Sequence, residues 1–132
     1  MTVFVDTNVF IDFLFKRDGY DEALLIFKAI KQHIFEGYVS DISLLNIDYV
    51  ARKHTVDTQA FLKIIARDFV IVGADNNLFH RAFSIANNDL EDTVQYLLAH
   101  QHGADCLITN DRTFYRGAIP LLSSHEFIKR YL

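Results

Sequence analysis

The residues of this chain that invite chemistry are acids placed at the ends of short apolar runs. Asp6 closes the run TVFV, and Asp111 follows LIT in LITND. In open α/β sheets ligands collect beyond the carboxyl ends of the strands, where the following loops converge. If the two runs are neighbouring strands, spaced about 4.8 Å apart, their carboxylates come within a few ångströms of one another. Two like charges that close are costly without a compensating cation. A third acid, Asp92, falls in the first turn of the helical stretch NDLEDTVQYLL, with Asp89 available as its N-cap. Asp89, Glu91 and Asp92 would also be welcome beside a helix N-terminus for dipole reasons alone. On a helical wheel Leu90, Val94, Leu97 and Leu98 form one apolar stripe, and Asp92 points away from it, toward water or toward a cleft. The wheel does not choose between them.

The elements that must position these acids follow from the alternation of short apolar runs with longer helical patterns. TVFV, the stretch around GYVS, FVIVG, CLIT and IPLL read as strands by length and β-branched content. The segments around 21–35, 43–54, 57–67, 76–87, 90–102 and 124–131 read as helices. This alternation predicts an α/β fold, a three-layer α/β/α sandwich around a central parallel sheet of about five strands. Asp21, Asp57 and Asp75 stand just ahead of helical patterns and are assigned to capping. The stretch NVFIDFLF carries apolar residues at nearly every helical position, more than one core-facing stripe uses, so part of it is read as a surface that docks a partner. No repeat, low-complexity tract or Pro/Gly-rich linker divides the chain, and residues 1–132 read as a single domain.

Composition narrows the function classes. A formal net charge of −4 argues against a protein held on nucleic acid by bulk positive charge, so any nucleic acid must meet a local patch. The single cysteine, Cys106, lies in the apolar run CLIT and reads as a small buried hydrophobe; no internal disulfide is possible, which suits a reducing cytoplasm. No basic n-region precedes a long apolar stretch, and no segment approaches a membrane span, so a cytoplasmic protein with no membrane partner is expected. Twelve Phe and six Tyr are more aromatic surface than a lone small globule needs, which favours a homodimer or a partner-bound protein. Of the six histidines none forms a metal set, since His100 and His102 split across a helix.

Taken together, VFVDTNVFID at the start, SDISLLNIDYVARK in the middle, NDLEDTVQYLLAHQHGADCLITND late and the final RTFYRGAIPLLSSHEFI make the chain resemble the PIN-domain family of metal-dependent ribonucleases, which includes the VapC-type toxins of toxin–antitoxin pairs. The resemblance covers essentially the whole chain. It implies a metal-dependent endoribonuclease with RNA as substrate, an antitoxin protein as partner, and Mg²⁺ or Mn²⁺ as cofactor. Carried over residue by residue, the family's first acid falls on Asp6, the third on Asp92 and the fourth on Asp111, and these three would hold the metal. The second family acid falls on Asn46, a departure. Asn46 offers a neutral carbonyl oxygen and cannot act as a general base at neutral pH. Slower turnover is therefore expected, with Asn46→Glu raising cleavage. Asp48 is no ready substitute: two residues along a helix it faces elsewhere, and it has Arg52 four residues on as an ion-pair partner. Glu91 reads first as a first-turn charge, although it can swing toward the same pocket.

The resemblance further implies that the short polar residues Thr7, Asn8 and Thr109 support the acids by hydrogen bonds, Asn8 and Thr109 above all. Arg112 and Arg116, immediately after Asp111, are the basic residues read as substrate phosphate contacts. Two other readings stay open. One is a PIN-like domain that binds RNA or protein with its chemistry weakened, which the Asn46 departure keeps alive. The other is phosphoryl transfer through an aspartate, against which DTN lacks the second acid of a D-x-D pair and IPLLSS brings no lysine.

Overall fold

The computed structural model describes residues 1–132. In chain order the elements are β1 (Thr2–Val5), α1 (Thr7–Leu14), α2 (Tyr20–Lys31), β2 (Glu36–Ser40), α3 (Asp41–Lys53), α4 (Gln59–Asp68), β3 (Val70–Val72), α5 (Asn76–Phe83), α6 (Leu90–Gln101), β4 (Cys106–Ile108), β5 (Leu121–Leu122) and α7 (Ser124–Tyr131). All strand pairs are parallel, and the five strands form one sheet in the order β3-β2-β1-β4-β5. The expected α/β/α sandwich is the observed architecture. Every apolar run read as a strand contains one, and each predicted helical segment holds a helix.

The sheet separates two apolar layers because successive side chains of a strand point to opposite faces. Val3 and Val5 of β1 enter a core shared with residues of α1, α2, α4 and α7, whereas Phe4 between them enters the core of α5 and α6. β1 therefore has its three apolar side chains fully buried, as a central strand covered on both faces should. The chain builds β1, β2 and β3 outward in one direction and returns to place β4 on the other side of β1. The gap between β1 and β4 is thus the topological switch point, the place where ligands of open α/β sheets collect beyond the strands' carboxyl ends. Val5 is in register with Ile108, so Asp6 and the segment Thr109–Asp111 leave the sheet side by side.

The stretch read as over-supplied with apolar residues is α1, and its surplus is largely consumed internally. Val9, Phe10 and Ile11 are buried, and Phe13, Leu14 and Phe15 pack against the same core. Phe10 stacks on Phe27 with ring centroids 5.2 Å apart and meets the edge of Phe69 at 5.2 Å, while Phe13 stacks on Phe61 at 5.5 Å. Such pairs contribute about 0.5–1.5 kcal/mol each beyond their buried area. The high aromatic content is therefore first a feature of the core, although Leu45, Tyr49 and Phe83 do remain exposed.

On the other face α6 is buried along Asp92–Ala99, not along a single stripe. It lies against α5 and the sheet, so its polar residues in this stretch must find partners inside the protein. Two of the four proposed caps hold the cap position, Asp75 accepting from the Leu78 amide at 3.0 Å and Asp89 from Asp92 at 3.1 Å, while Asp57 stands one residue before the cap Thr58 of α4 and accepts from the Gln59 amide at 3.0 Å. Asp21 is instead a first-turn acid, because Gly19, at φ 91°, takes the cap position of α2. Asp48 pairs with Arg52 at 3.1 Å as expected and also accepts from Thr58. Cys106 is buried and free. No helix is long and apolar enough to cross a membrane.

The close approach of α2 and α4 to the sheet depends on Gly37 in β2, where an added Cβ would lie 2.8 Å from Ile30 Cδ1 and 2.9 Å from the Phe69 ring. Gly37→Ala is expected to destabilise the fold by about 1–3 kcal/mol, the ordinary cost of overpacking, measured as a lowered urea midpoint with an unchanged m-value. A midpoint equal to wild type would mean that these layers are not in direct contact through Gly37.

Candidate active site

Asp6 sits at the first position beyond β1, and only 2% of it is exposed. Its two carboxyl oxygens have separate donors. Thr109 Oγ donates to Oδ2 at 2.8 Å from the neighbouring strand end, and Gln95 Nε2 donates to Oδ1 at 3.0 Å from α6. Burial pushes the Asp6 carboxyl up to about 6, the two hydrogen bonds opposing it and the charge of Glu91 adding to it. The same Thr109 hydroxyl accepts from the Asp111 amide at 3.1 Å, so one threonine fixes the strand-end loop and the buried acid together.

Asp92 is 7% exposed, so of the two directions left open by the helical wheel it does not face open water. Burial first, then the charges of Asp89, Asp6, Asp111 and Glu91, push it up to about 7. The acids from β1, α6 and the β4 loop thus share one electrostatic environment. They do not, as they stand, converge to ligating distance, for no three acidic, histidine or cysteine side chains form a group that could hold an ion between them. The reason is local. Two of the acids are drawn to their own donors, Asp6 to Thr109 and Gln95, and Asp111 Oδ1 to the amide and hydroxyl of Thr113 at 2.9 and 2.7 Å.

Asn46 and Glu91 change the picture most. Asn46, half-buried on α3, turns its amide to Glu91, with Nδ2 donating to Oε1 at 2.5 Å. Thr7 Oγ and Gln95 Nε2 donate to Glu91 Oε2 at 3.1 and 3.3 Å. Glu91 is therefore a member of the site, not a solvated first-turn charge. The supporting bond expected of Asn8 is made by its neighbour: Asn8 is exposed and bonds none of the acids, whereas Thr7 is buried and also exchanges a hydrogen bond with Ser43 at 2.6 Å. Thr109 supports Asp6 as expected. A glutamate at position 46 would face Glu91 across one hydrogen bond, which removes the basis for expecting Asn46→Glu to raise cleavage.

Gln95 is the site residue that reading by motif missed, and Glu91 the one it set second to a dipole role. A signal was present: they are four residues apart and hence on one helix face, and a glutamine inside the buried run TVQYLL needs a polar partner. Gln95 is fully buried, and its Oε1 has no donor. A buried acceptor left so costs about 1–3 kcal/mol. A hydrated hard cation fits this donor set, since all the acids offer oxygen, their charges repel one another, and a coordinated water could serve the orphaned amide oxygen. Beside the acids, Arg112 and Arg116 border a cavity of about 290 Å³ with Thr109, Asp111, Ser123 and Glu126.

Residues 2–113 match the PIN domain family. The chain is 28% identical over 138 residues to ribonuclease VapC1 of Aquifex aeolicus (strain VF5), covering 98% of this chain and 94% of that protein. Among solved structures it shares its fold with a chain of a toxin–antitoxin complex from Klebsiella pneumoniae, at a TM-score of 0.69 and 20% identity, over 94% of this chain and 98% of that one.

The two raised carboxyls carry a sign. An acid whose folded pKa exceeds its unfolded value binds its proton more tightly when folded, so its contribution to stability is lost as pH rises toward the folded pKa. For Asp6 and Asp92 that loss runs from the ordinary value of 3.8 up to about 6 and about 7. In metal-free buffer Asp92→Asn is expected to melt above wild type at pH 8, with the difference closing by about pH 4, as read by calorimetry. A difference independent of pH would show that Asp92 is not strained by its neighbours.

Proposed function

The chain belongs to the PIN-domain family, and from that premise we propose that it is a Mg²⁺- or Mn²⁺-dependent endoribonuclease acting as the toxin of a toxin–antitoxin pair. The observation that carries this reading is geometric: Asp6 and the Thr109–Asp111 segment leave adjacent parallel strands side by side at their carboxyl ends, tied together by the Thr109 hydroxyl. The full-length similarity to a protein named as a ribonuclease supports it.

In this reading Asp6, Asp92 and Asp111 hold the ion, which when bound supplies a water acidic enough to yield hydroxide and charge stabilisation at the phosphate. Thr109 and Gln95 keep Asp6 oriented, and Thr109 fixes the loop that carries Asp111. Arg112 and Arg116 are the residues proposed to contact flanking phosphates, point charges where the chain as a whole is acidic. The reading of a weakened, non-catalytic domain rests on the acid missing at position 46, and Glu91, held in the same corner, favours the catalytic reading over it.

The partner is proposed to be an antitoxin protein, the setting in which the Klebsiella pneumoniae neighbour was solved. An apolar groove of about 250 Å³ lined by Phe13, Leu24, Phe27, Phe61 and Ile64, with Lys28 and Lys31 beside it, suits an amphipathic segment with acidic flanks. It also gives a place for the part of α1 read as a docking surface. A homodimer is proposed through the exposed Leu45 and Tyr49 of α3 and Phe83 of α5. A cytoplasmic location is proposed from the free, buried Cys106.

The test is cleavage of a labelled structured RNA. Wild type is expected to cut with Mg²⁺ or Mn²⁺ and to stop on chelation, and Asp6→Asn to lose about 100-fold or more in rate. Wild-type cleavage that matches Asp6→Asn, or that persists in chelator, would refute a metal-dependent nuclease at this site.

A further inference from the structure

Donors from three helices meet on one carboxyl group. Asn46 of α3, Thr7 of α1 and Gln95 of α6 all donate to Glu91, and the Gln95 amide reaches Asp6 Oδ1 at the same time. A glutamate kept only for the helix dipole projects into water and requires none of these bonds. No lysine or arginine pairs with Glu91, since the ion pairs of the chain are Arg52–Asp48 and Arg67–Asp68. Its carboxyl is thus oriented entirely by neutral donors, next to a second acid, in a corner where Gln95 Oε1 is buried and lacks a donor. Such an arrangement preserves negative charge in place of cancelling it, which is what a cation pocket needs.

We propose that Glu91 is the second acid of the cation pocket, supplying from α6 the carboxylate that the family pattern places at position 46 on α3, with Asn46 as the positioning residue that holds it there. This rests on the reading of the pocket as a divalent-cation site. The sequence departure at position 46 and the glutamate at position 91 are then one feature. Two carboxylates facing each other at hydrogen-bond distance would repel, so an acid supplied by α6 calls for an amide on α3. The converse pairing, an acid on α3 and an amide on α6, preserves one charge and one donor in the same corner.

The experiment measures Mn²⁺ affinity by the paramagnetic resonance of free Mn²⁺, together with the melting temperature of the metal-free protein, for wild type, Glu91→Gln, Asn46→Glu and the exchange variant carrying both. Glu91→Gln is expected to bind Mn²⁺ about 10-fold or more weakly. Asn46→Glu alone is expected to lower the metal-free melting temperature at neutral pH. The exchange variant is expected to return to within about 3-fold of wild-type Mn²⁺ affinity, a coupling that two independent sites would not show. Asn46→Ala, which leaves the acid but frees it, is expected to weaken Mn²⁺ binding by a few-fold and serves should Glu91→Gln fail to fold. Glu91 acting only as a brace between helices would lower the melting temperature of Glu91→Gln and leave Mn²⁺ affinity unchanged, which overturns the proposal, as does an exchange variant no tighter than Glu91→Gln. The two readings separate cleanly. The expected coupling without RNA cleavage by wild type removes the nuclease reading and keeps Glu91 in the pocket; metal-dependent cleavage with unaltered Mn²⁺ affinity in Glu91→Gln does the reverse. Wild type that binds no Mn²⁺ removes both.

Discussion

The constraint on which the rest of this structure depends is the burial of one carboxyl group at the end of its central strand. Asp6 is nearly inaccessible, and an isolated buried charge is among the most expensive things a protein can hold. The fold accommodates it by setting one neutral donor on each oxygen, Thr109 from β4's end and Gln95 from α6. Those donors are in place because β4 returns beside β1 and because α6, packed on one face of the sheet, brings Gln95 to the end of β1. Strand order, the burial of α6 and the placement of Thr109 can each be read as conditions for Asp6 to remain where it is.

From Asp6 the polar contacts spread in two directions. Through Thr109 they reach the Asp111 amide, and through Gln95 they reach Glu91, Asn46 and Thr7. A buried network of this kind behaves as a unit, because removing one member leaves its partner's full desolvation cost exposed. The apolar layers provide the rigidity. α1 is locked by the Phe10, Phe27 and Phe69 rings, and it is α1 that carries Thr7 directly after Asp6. Aromatic packing in one layer therefore sets the position of a hydrogen-bond donor at the edge of another.

The sheet was legible in the sequence because its strands are short and largely apolar, and because helical patterns separate them. TVFV and CLIT, buried apart from the half-buried Thr2, sit at or beside its centre, whereas Val70 and Ile71 of the edge strand β3 are exposed. Asp6, Asp92 and Asp111 were legible for a different one, their place at strand ends or in a helix's first turn within a recurring family pattern. Glu91 was not, since a glutamate at a helix start has a sufficient dipole explanation, and only the three-dimensional convergence of Asn46, Thr7 and Gln95 outweighs it. Asn8 erred in the opposite sense. The sequence puts it next to Asp6, but the turn into α1 sends Thr7 inward and leaves Asn8 exposed. Which of two adjacent polar residues faces a site is decided by the phase of the helix they start, and a one-residue difference in that phase lies within the usual uncertainty of a helix boundary.

The acidity of the site bears on how the proposed substrate is held. A chain of net charge −4 has no general attraction for a polyanion, and its candidate pocket concentrates Asp6, Asp92, Asp111 and Glu91. Phosphate approaching those four acids meets repulsion that Arg112 and Arg116, both exposed and sharing their cavity with Asp111 and Glu126, offset only in part. A divalent ion would invert this local field, turning a surface that repels RNA into one that receives it. In the proposed nuclease the same ion thus serves binding as well as chemistry. Substrate engagement then becomes conditional on the metal, and the raised carboxyls of Asp6 and Asp92 mark the electrostatic strain that the ion would relieve.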